Sequence, residues 1–429
     1  MPQRNVRLEE KRKIMLKYLV DSTIQLTVMM VIVGMILGYV RSKYGQKAGR
    51  IELIVTAFGL ACAIAMAVMK TATNKIDTGT WNLWIYYASA AAFILFLVFT
   101  ALGKKLKKVS VVLPFIFLSV IIVAQMLYSL PDFFVYPHTI MLTEDSLIST
   151  VFLTKMSGVI VGLIVTFVAG WASNAVVKAS NNGVALLFLS LVLLVTTFKQ
   201  ITASFSTLLT RRIIPSNHTI FQLVKFSSNN SNLFIYLTLG LVLIMAVLLL
   251  IRSLNVNEPY SNPAQHRKII FKWRMARRWS WTQIITVVIT VLLMTVVYNI
   301  ANQEVELSPI EETVIDSDNM YITFEQVSDG HLHRFGYTTE NGVQIRVIVI
   351  QKPNSSQYGI GLDACDICGE TGYYEKSGQV VCNLCDVVMN INTIGFKGGC
   401  NPIVIDYSIE NGQIIIPLAG LEEYEDEFK

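Results

Sequence analysis

The fold class this sequence predicts is an α-helical polytopic membrane domain of about eight transmembrane helices plus a small mainly-β C-terminal domain with a zinc-ribbon/rubredoxin-like cysteine site. Three observations predict it. Of 429 residues, 53% are hydrophobic and 15% charged, against about 25% charged in soluble domains, and mean hydropathy is +0.51. The apolar residues gather into runs of membrane-spanning length, all before residue 302. Five of the six cysteines follow that point, spaced Cys365-x2-Cys368, Cys382-x2-Cys385 and Cys400; Cys62 stands apart. The expected domains are therefore 1–301, transmembrane, and 302–429, extracytoplasmic and cysteine-rich.

A helix crossing the roughly 30 Å hydrocarbon core takes about 20 mainly apolar residues. Candidate spans are Val20 to Val40, Ile51 to Met69, Trp81 to Leu102, Val109 to Leu130, Met156 to Val177, Val184 to Phe198, Leu233 to Ile251 and Trp281 to Ile300. The sixth is short and continues toward Leu209 as an alternative. The first run follows a long charged stretch, Arg4 to Lys17, and no small-residue cleavage site follows it, so it reads as a retained helix rather than a cleaved signal. No small-x3-small spacing stands out as fixing a helix pair.

The net charge of +5 averages a basic membrane half with an acidic tail, Glu422 to Glu427. That asymmetry suits membrane loops and gives no case for nucleic-acid binding. The loop Lys104, Lys105, Lys107, Lys108 and the stretch Arg252 to Arg278 lie four spans apart, hence on one side, which the positive-inside rule makes cytoplasmic. The last span then delivers the C-terminal domain to the extracytoplasmic face. Eight spans also put the N-terminus outside, against the pull of Arg4, Arg7, Lys11, Arg12 and Lys13.

Beyond Ile300, Tyr321 to Val327, His331 to Tyr337 and Val343 to Ile350 read as strands. Asn341-Gly342 and Asn411-Gly412 are hairpin signals, because a tight two-residue turn takes positive φ at both positions. The second hairpin joins Ile403 to Ser408 with Gln413 to Pro417. The cysteines lie between the two hairpins.

Two thiolates separated by two residues wrap backbone around one metal, and Gly369 lets the chain turn past the sulfurs. A second such pair, beyond a Gly378-containing excursion, completes a four-sulfur set. Such a set suits zinc, a single iron or an iron–sulfur cluster; two structural disulfides are the competing reading. Cys400, in Gly398-Gly399-Cys400-Asn401-Pro402, is surplus to four. It either joins the site or is a free thiol in a glycine turn. His331 and His333, two apart in a predicted strand, share a face, either as further metal ligands or as surface residues beside Phe335 and Tyr337.

In the spans, Asp21, Gln25, Glu52, Lys70, Gln125 and Lys199 stand out, since buried charge in a bilayer is costly. Most lie near span ends; Gln125 and Gln25 lie deepest, where polar helix contacts account for them. Cys62, Met66 and Met69 share a helix and read as packing rather than a soft-metal path. No nucleophile elbow, phosphate-cradling loop or metalloprotease helix is present.

From His331 to Pro402 the sequence resembles a bacterial family of membrane proteins described as iron–sulfur-containing and FtrD-like. The resemblance is carried by Asp329-Gly330-His331-Leu332-His333-Arg334-Phe335, Cys365-Asp366-Ile367-Cys368-Gly369 with Gly372-Tyr373, Val381-Cys382-Asn383-Leu384-Cys385, Asn392-Thr393-Ile394-Gly395 and Gly399-Cys400-Asn401-Pro402. It implies a part in high-affinity iron uptake in the bacterial cytoplasmic membrane, beside an iron permease and an extracytoplasmic iron-binding protein. Cys365, Cys368, Cys382, Cys385 and Cys400 would hold an iron–sulfur cluster or a mononuclear iron, with zinc or copper as alternatives and His331 and His333 as further ligands. The spans lack the paired glutamates of the permease itself. A domain that crosses the membrane unfolded cannot carry a preassembled cluster, whereas an ion loaded outside meets no such obstacle. Three functions compete: a redox component whose helices dock a permease or quinone, a membrane-anchored structural zinc ribbon, and a transporter fed by its own metal-capturing domain.

Overall fold

The computed structural model describes residues 2–429 apart from 74–75, 103–108, 143–148, 216, 257, 302–306, 354, 377–378, 386 and 397–399. The basic loop Lys104 to Lys108 and the glycines Gly378, Gly398 and Gly399 lie outside the described residues. The chain divides into two compact units, Met1–Asn302 and Gln303–Lys429.

The first unit is helical: α1 Pro2–Ala72, α2 Thr78–Ala101, α3 Val109–Leu142, α4 Thr150–Ala179, α5 Asn182–Thr210, α6 His218–Asn229, α7 Ser231–Leu254 and α8 Pro263–Leu292. A π-turn, Leu293–Val297, and a last helical turn, α9 Tyr298–Ala301, follow. Seven of these helices, among the described residues, are long and apolar enough to cross a membrane. The chain is a multi-pass membrane protein.

α1 makes two passes. Its helical path breaks at Gly45, with φ 87° and ψ −179°, a conformation that a Cβ would strain. Its contacts with α3 reverse there. Tyr18 meets Tyr136, Gln25 donates to the Ser129 carbonyl and Tyr44 meets Phe115. Then Glu52 accepts from Ser119, Gly59 lies against Val123, and Lys70 pairs with Asp132. The chain thus descends α3 and climbs it again, so seven helices make eight passes, at the spans read from sequence. The short sixth span is extended: α5 runs to Thr210.

The first arm of α1 packs on α4 through small residues. A Cβ at Gly34 would strike the Gly170 carbonyl, at Gly38 that of Asn174, and at Gly162 the Ser22 hydroxyl. Gly34-x3-Gly38 and Gly158-x3-Gly162 therefore do fix a helix pair, contrary to the sequence reading. Between chains of Leu and Ile, lipid offers the same apolar contact as a neighbouring helix, so close backbone approach decides the pairing. Met66 is buried and Met69 exposed.

The second unit holds three antiparallel sheets: β1 Val314–Ile315, β2 Asn319–Thr323, β10 Gln413–Pro417 and β9 Ser408–Glu410; β3 His333–Thr338, β4 Gln344–Gln351 and β5 Tyr358–Leu362; and β6 Tyr373–Lys376, β7 Gln379–Cys382 and β8 Val388–Met389. The expected strand to Val327 stops at Thr323. There a capping box with Gln326 starts the single turn α10, Phe324–Val327, a Thr-x-x-Gln signal legible in sequence. Asn411 and Gly412 both take positive φ, at 49° and 77°, as the hairpin reading requires. In the other turn only Gly342 does.

β4 separates two cores. Because side chains alternate across a strand, Ile345, Val347 and Val349 enter a core with Met320, Phe335, Ile414 and Ile416. Ile348 and Ile350 enter a second with Leu332, Tyr373, Val380, Cys365 and Cys382. The cysteines rest on that second core.

Candidate metal centre

The first cysteine pair continues directly from β5. Asp363, fully buried, is the base of this turn: it accepts from Arg334 Nε at 2.7 Å, Arg346 Nε at 3.2 Å and the Tyr373 N–H at 2.8 Å. Arg334, 1% exposed, also donates to the Ser308 carbonyl and hydroxyl and to the Tyr373 carbonyl. A buried carboxylate with two guanidinium partners holds Ala364 and Cys365 against β6. Beyond it, Cys365 and Gly369 exchange backbone hydrogen bonds of 3.2 and 2.9 Å, closing the first knuckle. The Cys368 N–H donates to Cys365 Sγ at 3.1 Å. Gly372, at φ 78°, has no room for a Cβ beside the Asp363 carboxylate.

The second knuckle leaves β7, whose Cys382 N–H donates to the Val387 carbonyl at 3.0 Å. Asn383 ties the knuckles together: its N–H donates to the Gly372 carbonyl and its side-chain amide to that of Thr371. Cys400 is brought in by the pairing of Ile403 with Leu362 and Ala364, and by Tyr373, whose hydroxyl donates to the Cys400 carbonyl at 2.6 Å.

The sulfurs of Cys365, Cys368 and Cys382 lie within 4.8 Å of one another, and so do those of Cys368, Cys385 and Cys400. Cys368 is common to both groups. Cys385 and Cys400 are 3.8 Å apart, close to the sulfur–sulfur edge of about 3.8 Å that four Zn–S bonds of ~2.3 Å span in a tetrahedron. All six cysteines are free thiols. Five soft donors converge, a set that fits a thiophilic ion. Burial and the neighbouring Cys382 and Cys385 push the Cys368 thiol up, and burial raises that of Cys382. Without metal the Cys368 and Cys382 thiols are thereby held in their protonated form at neutral pH.

The histidines do not join either group. His331 precedes β3, and its Nδ1 meets Glu375 at 3.0 Å. His333 opens β3 with Phe335's parity, facing away from the cysteine core. Its Nδ1 meets Glu311 at 2.9 Å and its Nε2 meets Asp329 at 2.8 Å. The hydrogen bond to Glu375 raises His331 above the ordinary histidine range. For His333 burial pulls downward, but Asp329 and Glu311 outweigh it and the net shift is upward. Sequence reasoning named no role for Arg334, Asp363 or Tyr373. The signal was present in Arg334 and Tyr373, which stand inside the words that carry the family resemblance.

A sequence model of the family described as "Membrane iron-sulfur containing protein FtrD-like" matches residues 327–428. Residues 327–428 are similar to that family. This FtrD-like segment covers about a quarter of the chain and contains both knuckles, Cys400 and both histidines. Comparisons with curated proteins and with solved structures returned no match.

Proposed function

We propose that this chain is the redox component of an iron-uptake system in the bacterial cytoplasmic membrane, its FtrD-like segment holding an iron centre on Cys365, Cys368, Cys382 and Cys385, with Cys400 beside them. The observation that carries the reading is the pair of thiol groups sharing Cys368 inside the matched segment. Iron held by such thiolates supplies a one-electron couple. The chain's own residues set its surroundings. Cys365 and Cys382 are 1% exposed, whereas Cys385 is exposed, and the knuckle tips Ile367 and Leu384 are 67% and 61% exposed. One edge of the centre therefore meets solvent, where an electron partner can approach, while the other is walled by Tyr373 and Ile348. The mutual closeness of the sulfurs supports one ion over a cluster, whose bridging sulfides would spread cysteines bound to different irons.

The charge at one end of the bundle supports a sidedness, over the opposing pull of the basic N-terminal stretch Arg4 to Lys17. The Gly45 end of the bundle carries Arg41, Lys43, Lys47, Arg50, Lys178, Arg252 and the basic first half of α8, Arg267 to Arg278. By the positive-inside rule that end is cytoplasmic, and after eight passes the FtrD-like segment is extracytoplasmic. The partners are then an iron permease and an extracytoplasmic iron-binding protein, with electrons leaving as ferrous iron is oxidised.

The full chain purified in detergent is expected to carry iron and a visible absorption that bleaches reversibly on reduction, with a paramagnetic resonance signal in one redox state. A folded, colourless, iron-free protein with stoichiometric zinc would refute the redox reading and support the zinc-ribbon one. A membrane-impermeant maleimide applied to intact cells grown without iron is expected to label Cys385; labelling only after lysis reverses the topology.

A further inference from the structure

The transmembrane unit holds a partly open cavity of ≈ 330 Å3 between α1, α2, α3, α5 and α7, at the lower end of the roughly 300–1,000 Å3 of small-molecule sites. Gln200 on its wall is 4% exposed, and among the described residues neither the nitrogen nor the oxygen of its side-chain amide has a hydrogen-bond partner. A buried amide with both ends unpaired calls for an occupant that satisfies it. Beside it Lys199, from the same turn of α5, has no ion-pair or hydrogen-bond partner for its ammonium among the described residues. Asp132, the one carboxylate in the lining, is engaged by Lys70 at 2.6 Å.

With Asp132 paired to Lys70 from outside the lining, Lys199 is the uncompensated charge at the wall, which opposes a free metal cation and favours a ligand with oxygen acceptors. Its remaining surface is partly apolar, with Val28, Ile235 and Phe234 in the lining. Phe198, 41% exposed on the outer face of α5, lies 5.9 Å ring to ring from Phe234. The lipid-facing surface and the cavity wall are therefore one side chain apart. A ligand that partitions into lipid, is largely apolar and carries carbonyl oxygens meets all three conditions.

We propose that this cavity binds the headgroup of a lipid-soluble quinone, with the Lys199 ammonium and the Gln200 amide nitrogen donating to its carbonyl oxygens. The Gln200 oxygen, an acceptor, receives the hydroxyl of the reduced form, so one side chain serves both states. This deepens the redox reading above and rests on it for the choice of an electron-carrying lipid.

The test is calorimetric titration of the full chain in lipid nanodiscs with decylubiquinone. One ligand is expected to bind per chain. Lys199→Met and Gln200→Leu are each expected to weaken binding at least tenfold, and Ala203→Phe, which fills the cavity from α5 without removing a polar group, to abolish it. Gln283→Leu, at a buried amide outside the cavity that accepts from Ser173, is expected to leave binding unchanged. If either polar variant fails to fold, Ala203→Phe against Gln283→Leu decides. Absence of saturable binding, equal binding in Ala203→Phe, or saturable Mn2+ binding in place of quinone overturns the proposal. Iron measured in the same samples separates the two readings. Quinone binding without iron keeps the site and removes the redox role; iron without quinone binding does the reverse.

Discussion

Asp363→Ala is the sharpest test of how the fold holds the cysteines. The carboxylate is fully buried and accepts three hydrogen bonds, two from guanidinium groups. Removing it leaves Arg334, 1% exposed, as a buried charge without a counter-ion. Breaking one partner of a buried pair costs about 3–5 kcal/mol. The Tyr373 N–H is orphaned as well, at roughly 1–3 kcal/mol if fully dry. Arg346, whose side chain keeps 20% exposure, reaches water and adds little. The Ser308 and Tyr373 carbonyls still hold Arg334, so about 3–5 kcal/mol is the expected total. At ~1.4 kcal/mol per factor of ten, amide exchange in β4 and β5 of the full chain should accelerate by roughly two to three and a half powers of ten. Hydrogen–deuterium exchange with mass spectrometry reads this on peptides covering 344–362. The double variant Arg334→Met with Asp363→Leu should recover most of the loss, because replacing both charges removes the orphan. An acceleration under about tenfold in Asp363→Ala, or a double variant as damaged as the single, refutes the reasoning.

Cys368→Ser removes the sulfur common to both thiol groups and is expected to abolish stoichiometric metal. Cys400→Ser leaves four cysteines and is expected to keep one ion per chain; elemental analysis of the two variants checks this. Because burial raises the Cys368 and Cys382 thiols, metal uptake must displace protons, so metal affinity should climb as pH rises; a flat pH profile in competition with a chelator contradicts it. His333 has a raised folded value, so its contribution to metal-free stability is full below its ordinary value of about 6.5 and fades as pH rises through the folded one. The gap in denaturation midpoint between wild type and His333→Gln should therefore be larger at about pH 6 than at about pH 8.5. Gly34→Leu drives a side chain into the Gly170 carbonyl. Overpacking typically costs about 1–3 kcal/mol, and with backbone as the obstacle the top of that range is expected as lost thermal stability in detergent.

Much of this architecture was legible before any coordinate. Spans announce themselves because lipid forces every backbone polar group into a helix about 20 residues long, and all eight were read at their places. The Cys-x2-Cys spacing is equally local, since the loop around a metal is short. Other features have no local signature. The Gly34–Gly170 approach needs two helices, and either partner alone is an ordinary glycine in a membrane helix. His331 and His333 read as metal candidates because alternation tells which residues share a face, but not which core that face enters. For His333, β4 answers this by sending Phe335's side of its sheet to one core and the cysteines' side to the other.

The five cysteines show the same division. Their identity, their pairing by spacing and the family words around them were determined by the sequence itself, because two thiols three residues apart meet whatever the rest of the chain does. That Cys368 joins the knuckles to Cys400 was decided only by tertiary structure. It depends on β5 pairing with Ile403, on the Tyr373 hydroxyl holding the Cys400 carbonyl, and on Arg334 and Asp363 holding the turn beneath, contacts between residues 10 to 41 positions apart. Lys199 and Gln200 likewise looked like residues at the end of a span. Five helices had to close around them before they lined a cavity.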